Sequence, residues 1–195
     1  MTTNPSTSAV PRQRPLIDNP IMAQRAAELL RTPHAVRQLD PSESVAVVSQ
    51  MQLVYYPEGS MLFREGDEGH SSYMLLVLDG WVSVDTGLPN GPDSVSVAVL
   101  GPGSIIGEMA LLDGAPRSAN CIANSPVQAA GLSRVGLERL LDEEPRVAAK
   151  LMVALATRIS DRLRALSKQL QMYSQITATM QHELDRLRAA AARDR

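Results

Sequence analysis

One short stretch, Gly101 to Cys121 with the sequence GPGSIIGEMALLDGAPRSANC, carries side chains that suit the binding of a charged ligand. Arg117 offers a planar guanidinium and Ser118 a hydroxyl, and these donors fit the two equatorial oxygens of a phosphodiester. Gly107 and Glu108 open a short helical turn, whose first backbone N–H groups have no partner within the turn and attract an anion. The stretch therefore predicts a phosphate-binding site.

Glu108 is unexpected in such a site, because a phosphate repels a carboxylate that serves no other group. A sugar hydroxyl is a suitable group, since Glu108 can accept its hydrogen bond while Arg117 and the start of the helical turn tolerate the negative charge. Donors for a phosphate and an acceptor for a sugar hydroxyl together predict a nucleotide site. Two simpler interpretations stay open: Arg117 forms an ion pair with Glu108, and Gly107 only serves a turn.

Catalytic groups do not cluster in the sequence. The three histidines, His34, His70 and His182, lack the spacing of metal ligands, which argues against a metallophosphodiesterase. The serines form no recognisable nucleophile–base arrangement with them. The single cysteine, Cys121, can form no internal disulfide, and we expect it in the core. We therefore expect no enzyme, no metal and no cofactor.

The composition fits one compact domain with an extended part, since the 195 residues are 44% hydrophobic and 21% charged. A formal net charge of −2 gives no basic excess for nucleic acid or anionic lipid. The longest apolar run, Tyr73 to Leu78, is far shorter than the roughly 20 residues of a membrane-spanning helix. Residues 1–20 are polar and proline-rich without a signal-peptide core, so we expect a disordered leader and a cytoplasmic protein.

The elements that position the site are short helices and strands. Helical spacing over residues 21–52, broken at Pro33 and Pro41, predicts covering helices. From Gln52 to Ser133, runs such as LVYY, MLF, YMLLVL, WVSV and SVSVAVL alternate with turn sequences such as PEGS, EGDEG and GPGS. The pattern predicts a mostly β domain with flanking helices over residues 21–144, built as an antiparallel barrel or sandwich.

The C-terminal segment, residues 145–195, is predicted to be one long helix preceded by a short helix near residues 134–142. No glycine follows Gly136 and no proline follows Pro145, so nothing breaks the helix. Two interleaved heptad series form an apolar stripe, here called the seam: Ile159, Leu163, Leu166, Leu170, Tyr173, Thr177, Met180, Leu184, Leu187 and Ala191. This repeat is typical of a coiled coil, so we expect a homodimer from about residue 159, with a heteromeric partner as the alternative.

These motifs resemble a known family. The strand sequence YPEGSMLFREGDEG, the segment Tyr73 to Gly80 that ends in DG, and the stretch GEMALLDGAPRSA at residues 107–119 resemble the cyclic-nucleotide-binding domain. Bacterial catabolite activator proteins, protein kinase A regulatory subunits and cyclic-nucleotide-gated channels share this domain. The resemblance covers roughly residues 40–165 and implies a jelly-roll type antiparallel β-barrel, with a following helix that closes over the base. The resemblance implies that residues 107–119, here called the cassette, are the phosphate-binding cassette of that family.

The resemblance also implies roles for individual residues. Gly107 and Ala119 would offer backbone contacts, Glu108 would hold the ribose 2′-hydroxyl, and Arg117 with Ser118 would bind the cyclic phosphate. The expected ligand-binding set is Gly107, Glu108, Met109, Ala110, Arg117, Ser118, Ala119, Arg158 and Arg162.

The base contact departs from the family pattern. Catabolite activator proteins read the adenine amino group with a hydroxyl residue on the long helix, and the ungapped alignment places Arg162 there. We expect Arg162 or Arg158 to stack on the purine through a cation–π contact instead. Cyclic AMP is the favoured ligand, but Ser118 stands where readers of cyclic GMP often have threonine and leaves cyclic GMP open.

The family's transcription factors carry a winged helix-turn-helix after the long helix, whereas the residues after Leu163 continue the heptad. The sequence thus predicts a bacterial, cytoplasmic cyclic-nucleotide sensor. It would act in signal transduction through its homodimer on an unidentified protein partner, without contact to DNA or membrane. Two other classes stay open: a ligand-free structural adaptor, and a transcription regulator without a visible DNA-binding domain.

Overall fold

The computed structural model describes residues 14–32, 36, 39–68, 73–86 and 95–193. The chain divides into two compact units, Met1–Leu155 and Ala156–Arg195. His34 and His70 lie outside the described residues.

The first unit begins with a short strand, β1 (Arg14–Pro15), which pairs antiparallel with β2 (Gln52–Tyr56). A single turn of 3-10 helix follows, and its first residue, Leu16, is fully buried. The prediction of a disordered leader over residues 1–20 is therefore wrong for residues 14–20, because burial of an apolar side chain orders a segment of polar, proline-rich composition. Residues 1–13 lie outside the described residues.

Two short helices, α1 (Pro20–Leu30) and α2 (Pro41–Ser49), confirm the predicted covering helices. Each begins with a proline, whose missing N–H costs nothing in the first helical turn. Asp40 caps α2 by accepting a hydrogen bond from the Glu43 N–H at 2.9 Å, and the Glu43 carboxylate accepts one from the Asp40 N–H at 2.9 Å. This reciprocal pair satisfies donors that the helix itself leaves unpaired.

The β structure consists of two antiparallel sheets in the described part of the chain. Their strand orders are β1-β2-β9-β4-β7 and β3-β8-β5-β6. The strands after β2 are β3 (Met61–Phe63), β4 (Tyr73–Asp79), β5 (Val82–Thr86), β6 (Val95–Leu100), β7 (Ile105–Ile106), β8 (Asn120–Ala123) and β9 (Val127–Ser133). The antiparallel β domain is confirmed, but a closed barrel is not: no ladder joins the two sheets within the described ranges. The edge strands β1 and β7 have two residues each, which is too short to continue the ladder.

Strand β4 contributes to both hydrophobic clusters of the first unit. Met74, Leu76 and Leu78 pack with the helices, whereas Leu75 and Val77 belong to a cluster formed by residues of both sheets. A strand buried on both faces needs no polar alternation, which explains the uninterrupted apolar run in the sequence. The cluster between the sheets also contains the buried Cys121, as predicted.

Helices α4 (Arg134–Glu143) and α5 (Pro145–Arg193) follow the last strand and confirm the predicted short and long helices. The first turns of α5 belong to the first unit, where Leu151 and Leu155 are buried and Lys150 forms an ion pair with Glu43. Within the described ranges, no helix combines the length and apolarity needed to cross a membrane.

The second unit contains α5 from residue 156 onward. Many large apolar side chains of this unit are exposed in the single chain, and several of them belong to the seam. Among the seam side chains that the structure describes, Ile159 is half-buried and the exposed ones are Leu163, Leu166, Leu170, Tyr173, Thr177 and Met180. The coiled coil itself stays a prediction.

Candidate ligand-binding site

The cassette connects β7 to β8 through a six-residue helix, α3 (Glu108–Asp113). Gly107 precedes α3 with φ 75° and ψ 13°, and Gly114 follows it with φ 72° and ψ 8°. Both residues adopt the left-handed conformation, which glycine reaches without a steric penalty. The two glycines therefore set the directions in which the chain enters and leaves α3.

Gly107 is also a point of close approach. A Cβ atom at this position would lie 2.5 Å from Arg117 Nη1 and 2.8 Å from Phe63 Cε2. A glycine is thus required for two reasons, the backbone conformation and the space that the guanidinium and the ring occupy.

We expect Gly107→Ala to destabilise the protein more than Gly59→Ala, a control with the same φ of 75° and no neighbouring atom within 4 Å of its added Cβ. The left-handed backbone should cost about 1–2 kcal/mol in both variants. The displacement of Phe63 and Arg117 should cost Gly107→Ala about 1–3 kcal/mol more. Urea unfolding of both variants measures the difference, and equal losses would show that the contact is easily relieved.

Arg117 is anchored by its backbone and its side chain. Its N–H donates to the Asp67 carbonyl at 3.1 Å, and its carbonyl accepts from the Gly66 N–H at 2.8 Å. Its Nη1 donates to the carbonyl oxygens of Tyr73 at 2.9 Å and Gly107 at 3.1 Å. Partial burial lowers the pKa of the Arg117 guanidinium, because it removes water from the charged group.

Two aromatic rings cover the Arg117 guanidinium. Its Cζ lies 3.8 Å from the centroid of the Phe63 ring and 4.8 Å from that of the Tyr73 ring. The two centroids are 5.3 Å apart, with their planes inclined by 52°. Both distances are within the range of a cation–π contact.

Glu108 is the first residue of α3 and is only 3% exposed. It forms no ion pair with Arg117, since the described ion pairs are Lys150 with Glu43 and Arg164 with Asp161. The interpretation of the two residues as a mutual ion pair is therefore wrong. Nor does any donor in the described part of the chain hydrogen-bond the Glu108 carboxylate at the distances and angles of a hydrogen bond. Among the described residues, the fully buried side-chain oxygen without a partner is that of Tyr56, so the Glu108 carboxylate keeps some contact with solvent, where a ligand hydroxyl would have access to it.

The remaining predicted cassette residues flank these groups. Ser118 is exposed, with its Oγ 3.9 Å from the sulfur of Met109, a side chain that is also exposed. Ala110 is buried, and Ala119 packs against the cluster between the sheets. The fold thus brings Gly107 to Arg117, and Met109 to Ser118, across the loop that follows α3.

The predicted base contacts lie in the second unit. Arg158 is half-buried and Arg162 is exposed on α5. Their role toward a purine stays a prediction. No group of three or more acidic, histidine or cysteine side chains in the described residues could hold a metal ion.

Sequence reasoning missed the aromatic residues beside the cassette, because Phe63 and Tyr73 fit the pattern of core strands. It also missed Tyr56, whose hydroxyl is buried without a hydrogen-bond partner among the described residues. Burial raises the pKa of Tyr56 above its ordinary value, with a smaller contribution from the neighbouring Tyr73 hydroxyl. The apolar alternation of a strand marks such residues as buried and gives no sign of their proximity to a cation.

Comparison with known proteins identifies the family to which this chain belongs. A family model described as the cyclic nucleotide-binding domain matches residues 53–144, which include the whole cassette. The crystal structure of a cyclic nucleotide-binding domain from Methylobacillus flagellatus is 33% identical, with a TM-score of 0.66, and the alignment covers 75% of this chain and 81% of that chain. This chain belongs to the cyclic nucleotide-binding domain family. The resemblance stated from the cassette and strand motifs is confirmed.

Two curated relatives of this chain are regulators by name. The cyclic AMP receptor protein of Thermus thermophilus is 35% identical over 123 residues, which cover 63% of this chain and 56% of the relative. The CRP-like cAMP-activated global transcriptional regulator of Mycobacterium tuberculosis is 26% identical over 132 residues, 68% of this chain and 58% of the relative. The chain spans less than three-fifths of the length of these relatives. Neither name denotes an enzyme.

Proposed function

We propose that this chain is a cyclic-nucleotide receptor, with cyclic AMP as the preferred ligand. The observation that supports the proposal best is the pair of charged groups in the cassette. Arg117 is half-buried and bonded to carbonyl oxygens, and the Glu108 carboxylate accepts no hydrogen bond from the described residues. A ligand that carries both an anion and a hydroxyl would satisfy the two groups at once.

In this proposal the cyclic phosphate binds Arg117 and the Ser118 hydroxyl, and the ribose 2′-hydroxyl donates to Glu108. Gly107 and Ala119 present their backbones to the ligand. Arg158 or Arg162 stacks on the purine. The names of both curated relatives specify cyclic AMP, which favours it over cyclic GMP as the ligand here.

The receptor would pass its signal to a protein partner through a homodimeric coiled coil formed by the seam of α5. Seam residues such as Leu163, Leu170 and Met180 are exposed in the single chain, and a helix with one apolar stripe gains stability by burying it against a second helix. Ligand binding in the first unit would then change what the dimer presents.

Calorimetric titration with cyclic AMP, cyclic GMP and cyclic di-GMP tests the ligand. Cyclic AMP at a hundredfold excess over its dissociation constant should add about 2.7 kcal/mol of stability. For a chain of this size the melting temperature should rise by roughly 5–10 °C. Absence of heat and an unmoved melting curve with all three ligands would favour the structural adaptor instead.

We expect Glu108→Gln to weaken cyclic AMP binding by about 5- to 13-fold, because the glutamine oxygen can accept the same hydrogen bond but lacks the charge, which contributes about 1–1.5 kcal/mol. Glutamine keeps the size of the side chain, so folding should be preserved. The matched control is Glu138→Gln on the exposed surface of α4.

Binding of the 2′-deoxy analogue of cyclic AMP tests whether the hydrogen bond to Glu108 comes from the ribose 2′-hydroxyl. The wild-type protein should bind the analogue more weakly than cyclic AMP, and Glu108→Gln should discriminate less between the two, because its neutral oxygen accepts a weaker hydrogen bond. If the variant discriminates between them as strongly as the wild type does, Glu108 does not contact the 2′-hydroxyl.

A transcription regulator is the second candidate function, supported by the name of the Mycobacterium tuberculosis relative. A gel-shift experiment with random-sequence DNA at low salt tests it, since phosphate contacts strengthen as salt falls. A shift that depends on cyclic AMP would favour this candidate over a protein partner.

A further inference from the structure

The Arg117 guanidinium is held by groups from three places in the fold. Phe63 on β3 and Tyr73 on β4 cover it with their rings, at 3.8 Å and 4.8 Å from Cζ. The carbonyls of Tyr73 and Gly107 accept the hydrogen bonds of Nη1. Phe63 is 5% exposed, and the lack of a Cβ at Gly107 lets the ring and the guanidinium approach each other.

We infer that Phe63 and Tyr73 are positioning residues, which orient the Arg117 guanidinium for the phosphate before the ligand arrives. The inference rests on the proposed function for the identity of the ligand. The candidate site then includes Phe63 on β3 and Tyr73 on β4 in addition to the cassette.

The physical reason is the cost of ordering an arginine. A free arginine side chain has several rotatable bonds, and a ligand must order them all when it binds. Rings stacked on the flat guanidinium fix its plane and keep water from it, while its remaining edge N–H groups stay suited to a phosphate. The side chain is then ordered when the protein folds.

Affinity measurements test the rings one at a time. Phe63→Leu and Tyr73→Leu should each weaken cyclic AMP binding by about 3- to 30-fold, the range expected for a lost cation–π contact. Tyr73→Phe keeps the ring and should bind as tightly as the wild type. The control Val82→Ala shortens a fully buried side chain of the same cluster. It should lower stability without changing affinity.

A second measurement needs no ligand. The Nε–H resonance of Arg117, assigned by comparison with Arg117→Lys, should show the ring-current shift of a proton above an aromatic face. Phe63→Leu should move this resonance toward the position of exposed arginines, and Val82→Ala should leave it in place. A purely structural role for Phe63 would not produce that difference.

The two measurements separate the possible failures. If the wild type binds no cyclic nucleotide but the Arg117 resonance is ring-shifted, the proposed function fails and the orientation by the rings stands. If cyclic AMP binds and both leucine variants match the wild type in affinity, the inference is wrong. It is also wrong if the Arg117 resonance lies among those of exposed arginines.

Discussion

Arg117→Ala should weaken cyclic AMP binding by about 30- to 5,000-fold, because a buried phosphate would lose its counter-charge, a loss of about 2–5 kcal/mol. This effect should exceed that of Glu108→Gln, which only removes the charge from one hydrogen bond to the sugar. Arg117→Lys should fall between the wild type and the alanine variant, since lysine keeps the charge but lacks the planar fork. Calorimetric titration of the three proteins gives the order.

The alanine variant also removes the side chain that packs between Phe63 and Gly107, so its melting temperature without ligand has to be measured beside its affinity. Arg139→Ala, on the exposed surface of α4, is the control for the loss of a positive charge. A folded Arg117→Ala protein that binds within threefold of the wild type would exclude Arg117 from the phosphate site. The anion would then have to be bound by groups outside the predicted set.

Local sequence patterns predicted the strands well, because they depend on neighbours in the chain. The run from Tyr73 to Leu78 is apolar throughout and became β4, buried on both faces. The absence of glycine after Gly136 and of proline after Pro145 predicted α5, which runs to Arg193. Both patterns depend on the backbone conformation and burial of a few neighbouring residues, so they predict a strand or a helix without knowledge of the rest of the fold.

Arrangements that depend on distant parts of the chain were not predicted. The division into two sheets follows from pairings such as β3 with β8, which join residues far apart in sequence. The order of residues 14–20 depends likewise on the hydrogen bond from the Leu16 N–H to the Met51 carbonyl and on the burial of Leu16. Neither partner can be identified from the composition of the segment itself.

The candidate site shows the same division. Residue types and spacing within the cassette predict which groups would meet a phosphate and a sugar, and these contacts stay a prediction. The structure brings Gly107 and Arg117 within hydrogen-bond distance. The rings of Phe63 and Tyr73 come from strands that precede the cassette by dozens of residues. Their role depends on packing across the sheets, which the alternation within one strand does not encode.

Dimerisation through the seam can be tested by truncation. Truncation after Ser167 should convert a dimer into a monomer at micromolar concentration, because it removes most of the seam. Leu170, Tyr173 and Met180 are 70%, 60% and 63% exposed in the single chain, and each would bury its apolar surface in a dimer. Full burial of such a side chain contributes about 1.5–3 kcal/mol.

A point variant makes the test specific for the seam. Leu170→Asp places a charge at a buried position of the coiled coil and should dissociate the dimer. Met172→Asp, on the same helix but off the seam and similarly exposed, should leave it intact.

The truncated protein keeps the first unit and both Arg158 and Arg162, so its affinity for cyclic AMP reports whether the distal helix takes part in binding. Sedimentation distinguishes the outcomes: a monomeric full-length protein contradicts the coiled coil, and a dimeric truncated protein places the interface before Ser167.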